Sequence, residues 1–139
     1  MNKIIKITLV FGFILISNMI YSQCDSIASV CSNHFTKKYV SDGQQYRALL
    51  IDDEIAEFNV TFYGGTVYRI AACSGLSDGN LVFVIKDQEN NVLFTNEDYS
   101  NAPYWDFSIA STINCKIEAI LDTKKLSSGC AVMLIGFKQ

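Results

Sequence analysis

The sequence has only one histidine, His34, which limits the catalytic chemistry open to it. A serine or cysteine nucleophile of the usual kind needs a histidine base, and no serine lies in a Gly-x-Ser-x-Gly motif. Cys31 precedes His34 by three positions, so a helix would bring the two together on one face. A helix with a disulfide cysteine and a partly exposed histidine explains the same spacing. We therefore expect no enzyme, and keep a small cysteine hydrolase using Cys31 and His34 as the alternative.

Metal-binding patterns and an excess of positive charge are also missing. There is no Cys-x-x-Cys pair, which argues against a structural zinc site. The oxygen-rich segments 77–80 and 87–91 do not match a calcium loop, and Asp and Asn favour such turns for backbone reasons alone. The net charge of −3 gives no electrostatic footprint for nucleic acid. The sequence predicts no metal, no cofactor and no nucleic-acid partner.

The densest acidic stretch, residues 52–54 followed by Glu57, is a poor glycosidase site. Glycosidases need two facing carboxylates, whereas adjacent acids on an extended chain point to opposite sides. A solvated turn between two strands is the favoured interpretation.

One long hydrophobic run is present, near the start of the chain. Two lysines, an apolar run over residues 7–16 and a small residue at Ser22 are typical of a secretory signal peptide over residues 1–22. The run is shorter than the roughly 20 residues of a membrane helix, and no later segment comes close. Acylation of Cys24 as a lipoprotein is less favoured because Gln23 precedes it. We expect a secreted or periplasmic protein without a membrane span.

Export changes how the five cysteines are interpreted, since all of them lie beyond residue 22. Removal of residues 1–22 leaves nine basic residues against 14 acidic ones, a net charge of −5. An oxidising compartment permits disulfides, so two bridges and one free thiol are expected. The candidates are Cys24, Cys31, Cys73, Cys115 and Cys130.

Two arguments bear on their pairing. Within one helix, Cys24 and Cys31 would be about 10 Å apart, so each is expected to need another partner. Cys73 is the last residue of one predicted strand, and Cys115 lies near the start of another. Both could lie at the same end of the fold, so we favour a bridge between them.

The apolar pattern divides the exported part into a helical segment at 23–45 and a β domain at 46–139. Residues 24–38 have apolar positions three and four apart, which predicts a short amphipathic helix. Beyond residue 46 the period becomes two, and turn residues recur at short intervals. Strands are predicted at 46–51, 57–63, 66–73, 81–86, 91–95, 104–109, 113–121 and 130–137.

About eight short strands predict an all-β fold, an antiparallel β-sandwich of the jelly-roll kind. Gly64-Gly65 favours a two-residue hairpin between the second and third strands. A tight connection is also predicted at 87–91. A hairpin between the last two strands across 122–129 would hold Cys115 and Cys130 too far apart to bond.

Aromatic residues beside polar ones give the best candidate for a ligand site. Trp105 and Phe107 alternate with Tyr104 and Asp106, so one pair is expected in the core and the other outside, and burial is favoured for Trp105 and Phe107. Exposed tyrosines provide flat amphipathic surfaces that suit sugars and protein partners. The predicted ligand-binding residues are Tyr99, Tyr104, Asp98, Asn101 and Asp106.

Segments 68–75, 82–87 and 91–94 resemble small secreted β-sandwich proteins of Bacteroidetes, and their strand and turn pattern is similar to bacterial pre-peptidase C-terminal domains. Those domains are non-catalytic jelly rolls attached to secreted enzymes, whereas here we expect a single domain with no catalytic domain beside it. The resemblance implies a non-catalytic accessory or binding module, with an extracellular glycan or another exported protein as its ligand. A structural subunit of the envelope is the remaining alternative.

Overall fold

The computed structural model of the protein describes residues 23–139. The predicted signal peptide, residues 1–22, lies outside the described residues. Within them, the chain is helical over 23–32 and then forms eight strands and one 3₁₀ turn, Asn96–Tyr99. The strands are β1 (Tyr39–Ile51), β2 (Ile55–Phe62), β3 (Thr66–Ser74), β4 (Leu81–Lys86), β5 (Val92–Thr95), β6 (Tyr104–Ile109), β7 (Ile113–Leu121) and β8 (Ser128–Lys138).

The strand predictions are confirmed in number, and β4, β6 and β7 have the predicted bounds. The predicted start of β1 at residue 46 is wrong, because pairing with β8 begins at Tyr39. The register shifts between Ser41 and Gln45, and this irregularity around Gly43 hides the strand from a period-two pattern.

The strands form two antiparallel sheets in jelly-roll order, which confirms the predicted fold class. Sheet A has the order β1-β8-β3-β6 and sheet B the order β2-β7-β4-β5. Most successive strands therefore belong to different sheets, and β4 and β5 are the exception. The tight connection predicted at 87–91 is confirmed by a 3.0 Å hydrogen bond from the Asp87 N–H to the Asn91 carbonyl.

The predicted hairpin at Gly64-Gly65 is wrong, and the hairpin considered between the last two strands does not form either, for the same topological reason. Gly64-Gly65 carries the chain from β2 in sheet B across to β3 in sheet A. The connection after β7 likewise leads from sheet B to β8 in sheet A. Turn residues predict where the chain changes direction, but they do not predict to which sheet the next strand belongs.

The main core lies between the sheets. Alternate residues of each strand point inward, and Ile70, Phe83, Ile117 and Met133 are almost completely buried there. Burial of such a side chain contributes about 1.5–3 kcal/mol relative to exposure. The predicted inward orientation of Trp105 and Phe107 is confirmed, since both pack against this core.

The helix covers the outer face of sheet A and forms a second, smaller core. Ile27, Ala28 and Cys31 pack on the outward residues of β3 and β8, including Val132 and Leu134. The two central strands of sheet A, β8 and β3, are therefore buried on both faces where the helix lies, which explains the continuous apolar run of β8.

The structure contains two disulfides, Cys24–Cys130 and Cys31–Cys73, and leaves Cys115 as a free, buried thiol. The predicted count is confirmed, and so is the expectation that Cys24 and Cys31 pair elsewhere. The favoured Cys73–Cys115 bridge is wrong because Cys73 faces the helix outside sheet A, whereas Cys115 lies between the sheets. Two disulfides point to an extracellular or periplasmic location.

Candidate functional site

The two tyrosines of the predicted ligand site lie on opposite sides of β6. The Tyr99 ring packs on Trp105, with centroids 4.2 Å apart, and stacks on Phe94 at 5.7 Å. Tyr104 points away from the core on the outer face of sheet A, where its ring lies 5.4 Å from that of His34. The structure therefore does not join the two rings into one binding surface.

The polar members of that predicted set also have separate environments. Asn101 is buried, and its amide donates to the Gly79 carbonyl at 3.1 Å and to Asp122 at 3.0 Å. Asp98 is exposed on the 3₁₀ turn. Asn101 thus ties loops together, and a ligand-binding role for these residues stays a prediction.

Asp106, the last of the set, belongs to a cluster around Arg69 on the outer face of sheet A. The Arg69 guanidinium donates to both carboxylate oxygens of Asp106, at 2.7 and 2.9 Å. Its carbon lies 4.2 Å from the Tyr39 ring centroid and 4.4 Å from that of Tyr104. The hydrogen bonds from Arg69 hold the pKa of Asp106 below its usual value. Because these groups satisfy one another, the cluster stabilises the fold and offers little to a ligand.

The alternative hydrolase built on Cys31 and His34 is wrong. Cys31 is bonded to Cys73, so it has no thiolate to act as a nucleophile. His34 lies 2.9 Å from a carboxylate oxygen of Asp78 and is half-buried. The helical spacing that suggested a catalytic pair instead places a disulfide near a hydrogen bond between His34 and Asp78.

The acidic and Asn-rich turns have structural roles that the residues themselves explain. A Glu54 carboxylate oxygen accepts from the Ile51 N–H at 3.0 Å across the β1–β2 turn. The Asn91 side chain and the N–H groups of Asn91 and Glu89 donate to the Asp87 carboxylate, and these hydrogen bonds lower the pKa of Asp87. Within residues 23–139, no group of three or more His, Cys, Asp or Glu side chains is placed to hold a metal ion.

An apolar surface that the sequence analysis missed lies where β1, β3 and β7 end. Leu49, Ile51 and Leu76 are 55%, 51% and 78% exposed. Leu49 and Ile51 share the outward face of β1 and pair with Cys130 and Ser128 of β8. Those β8 residues line a groove of about 390 Å³ whose other side includes Leu76. We call Leu49, Ile51, Leu76 and the groove between them the end surface.

The residues next to the end surface along the chain carry more acidic than basic side chains, although Arg47 lies there as well. Asp52 and Asp53 directly follow Ile51, and Asp78 follows Leu76 by two positions. Asp25, on the helix that borders the groove, pairs with Arg47 of β1. Apolar residues within a charged border are typical of protein-binding surfaces. From sequence alone, leucine and isoleucine at the end of a strand predict core, so no local signal identifies this surface.

The fold and this surface define a disulfide-linked β-sandwich with a docked helix and an apolar end next to acidic residues. The crystal structure of PliG from Aeromonas hydrophila, described as a periplasmic lysozyme inhibitor of g-type lysozyme, is similar to this chain with a TM-score of 0.53. The match covers 75% of this chain and 91% of that chain at 9% sequence identity, so it shows a shared fold alone. No family model matches the chain, and no curated protein matches it. No helix in residues 23–139 is long and apolar enough to span a membrane.

Proposed function

We propose that this protein is an exported, non-catalytic binding protein whose ligand is another exported protein. The observation that carries the proposal is the end surface, where three large aliphatic side chains are more than half exposed. Burying them against a partner removes apolar area from water, which is the main favourable term in most protein association. The two disulfides support an exported location for this protein, so a partner in the same compartment is the one to expect.

The charges around the end surface favour a basic partner. The exported part has a net charge of −5, and the β1–β2 turn places Asp52 and Asp53 beside Ile51. Complementary charge raises association rates and suppresses wrong partners. A g-type lysozyme is the first partner to test, since the similarly folded PliG is described as inhibiting one.

A glycan ligand at the predicted tyrosines has less support, because Tyr99 and Tyr104 do not share a surface. If the protein were a structural subunit of the envelope, it should self-associate, and light scattering over a range of protein concentrations would reveal this. The protein-binding proposal expects a monomer in the absence of its partner.

The proposal is tested by measuring the affinity of the purified protein for a g-type lysozyme, together with lysozyme activity in its presence. We expect saturable binding that the triple variant Leu49→Ser, Ile51→Ser, Leu76→Ser weakens at least tenfold, because central apolar contacts each contribute about 1–2 kcal/mol. The matched control is Val92→Ser, which alters an aliphatic residue of similar exposure (59%) at the opposite end of the sandwich.

Binding that the triple variant retains in full would contradict the proposed surface. An absence of binding by the unaltered protein would reject lysozyme as the partner. A loss of affinity in Val92→Ser equal to that of the triple variant would show that the effect is not local to the end surface.

A further inference from the structure

A second apolar feature, a cavity of about 440 Å³, opens near the opposite end of the sandwich. It lies where β5, the edge strand of sheet B, faces β6, the edge strand of sheet A. Its deepest residues are Phe62, Ile85 and Cys115, each at least 95% buried. The volume lies within the roughly 300–1,000 Å³ of small-molecule sites.

Three aromatic rings form the walls of this cavity. Phe94 contacts Phe107 edge to face at 4.9 Å between ring centroids, and lies 5.3 Å from Trp105. These residues come from both sheets, so the rings hold the two edges in a fixed relation while leaving the space between them open. Such contacts pre-form the cavity, which reduces the ordering that a ligand must cause on binding.

The mouth of the cavity carries hydroxyl groups and no charge. Ser111 and Thr112 are exposed there, beside the half-exposed Leu93. Among the described residues that line the cavity, none is charged. A carboxylate drawn into it would lose hydration without gaining a cationic partner, and the chain's net negative charge adds repulsion.

We propose that this cavity binds one neutral aliphatic molecule, of the fatty alcohol or fatty acyl ester class. Its chain lies against Phe94, Trp105 and Phe107, and its polar end meets the hydroxyls of Ser111 and Thr112 at the mouth. This site is separate from the end surface and does not depend on the proposed function.

The only tryptophan of the sequence, Trp105, lines the cavity and reports directly on its occupancy. Purified protein is titrated with dodecanol and with a dodecanol brominated along its chain. Bromine quenches indole fluorescence only at short range. We expect saturable quenching by the brominated alcohol that unlabelled dodecanol reverses by competition.

Two variants at Cys115 localise the binding. Cys115→Leu places a larger side chain into the deepest part of the cavity, and we expect at least a tenfold loss of dodecanol affinity. Cys115→Ala removes the thiol and enlarges the cavity, so affinity should stay within threefold of the unaltered protein. Leu93→Asp provides a second variant at the exposed mouth, in case the buried substitution prevents folding, and it should also weaken binding at least tenfold. Leu76→Ser, at the end surface, should leave binding unchanged.

Dodecanoate at neutral pH has the same chain and a charged end, and we expect it to bind at least tenfold more weakly than dodecanol. An absence of saturable quenching in the unaltered protein would overturn the proposal. Full dodecanol affinity in folded Cys115→Leu and Leu93→Asp variants would overturn it as well, because the alcohol would then bind elsewhere. Equal binding of dodecanoate would overturn the preference for a neutral ligand.

Discussion

The guanidinium of Arg69 is held between two tyrosine rings and a carboxylate, and this arrangement makes Asp106 a residue on which stability depends. Arg69 is about nine-tenths buried, whereas the Asp106 side chain is 38% exposed. Asp106→Asn removes the charge but keeps the size of the side chain. The substitution leaves the buried Arg69 without its charged partner, which should lower the free energy of unfolding at pH 7. Because water partly screens the exposed carboxylate, we expect the loss to be limited to about 1–2 kcal/mol.

The pH dependence of this loss follows from the lowered pKa of Asp106. A carboxyl whose pKa is lower in the folded state stabilises the fold above its unfolded pKa, near 4, and that contribution disappears as the pH falls through the folded pKa. The gap between the unaltered protein and Asp106→Asn should therefore be full at pH 5 to 7 and shrink below about pH 4. Urea unfolding at several pH values measures it. The control Asp98→Asn changes an exposed acid on the 3₁₀ turn and should lower the free energy of unfolding little at any pH. A difference between the unaltered protein and Asp106→Asn that stays constant down to pH 2 would contradict this role of Asp106.

At the residue scale, the sequence predicted orientation better than it predicted function. Strand alternation placed Trp105 and Phe107 inward correctly, because which side a residue faces is a local property of extended chain. The exposure of Leu49 and Leu76 could not be predicted, since it depends on which strands end beside them. Arg69 was missed as the partner of Asp106 for the same reason, since β3 and β6 are paired only in the folded sheet.

At the scale of elements, the helix at 23–32 is fastened to two neighbouring strands of sheet A. The Cys24–Cys130 bridge spans 106 positions and the Cys31–Cys73 bridge 42. Closing loops of this length lowers the entropy of the unfolded chain, and loss of a native bridge typically costs about 2–5 kcal/mol. We expect losses in that range for Cys24→Ala with Cys130→Ala, and for Cys31→Ala with Cys73→Ala, in denaturant unfolding under non-reducing conditions.

The single variant Cys115→Ala is the control for these double variants, because Cys115 forms no bridge. It should cost only about 1 kcal/mol, as expected for removing one buried sulfur atom. Mass spectrometry of peptides from the unreduced protein should find the same two bridges. A peptide joining Cys73 to Cys115, or double variants as stable as the control, would contradict this account of the helix attachment.

The bounds of strands could be predicted where local sequence signals set them. The partners of strands and cysteines could not, because they depend on which distant segments pair in the folded protein. The bounds of β4, β6 and β7 followed from alternation and flanking turn residues. The hairpins at Gly64-Gly65 and 122–129 did not form, because a jelly roll passes most successive strands between sheets. Pairing of the cysteines depended on the same long-range information, since the side of a sheet that Cys73 or Cys115 faces is settled only once the sheets stack.

Across the whole molecule, the two sheets differ in what their outer faces present. The helix and the Arg69 cluster cover much of sheet A. Sheet B instead carries a row of ion pairs in which Lys86 and Lys116 lie 2.7 and 3.3 Å from the oxygens of Glu118, and Lys116 lies 3.5 Å from Glu57. The end surface and the cavity lie toward opposite ends of the sandwich, so each proposed ligand can be tested without disturbing the other site.

The charge of the molecule predicts how its proposed association with a basic protein should respond to salt. Salt screens the exposed acidic residues next to the end surface, so the association rate constant should fall about tenfold between roughly 0.05 and 0.5 M salt. Salt leaves the apolar contacts intact, so the dissociation rate constant should change little. Asp52→Asn with Asp53→Asn should lower the association rate constant about two- to fivefold at low salt. Asn also tolerates the positive φ of 51° at Asp52, so the fold should be preserved.

Surface plasmon resonance with an immobilised g-type lysozyme separates the two rate constants. The matched control, Glu89→Gln, neutralises an exposed acid in the β4–β5 turn at the opposite end and should change neither constant appreciably. Leu76→Ser should instead raise the dissociation rate constant, because it removes a contact made only in the complex. Long-range attraction between charges weakens with ionic strength and with distance from the contact. Association rate constants that do not depend on salt would therefore show that the acidic residues do not direct the encounter. An equal fall of the association rate constant in Glu89→Gln would show the same.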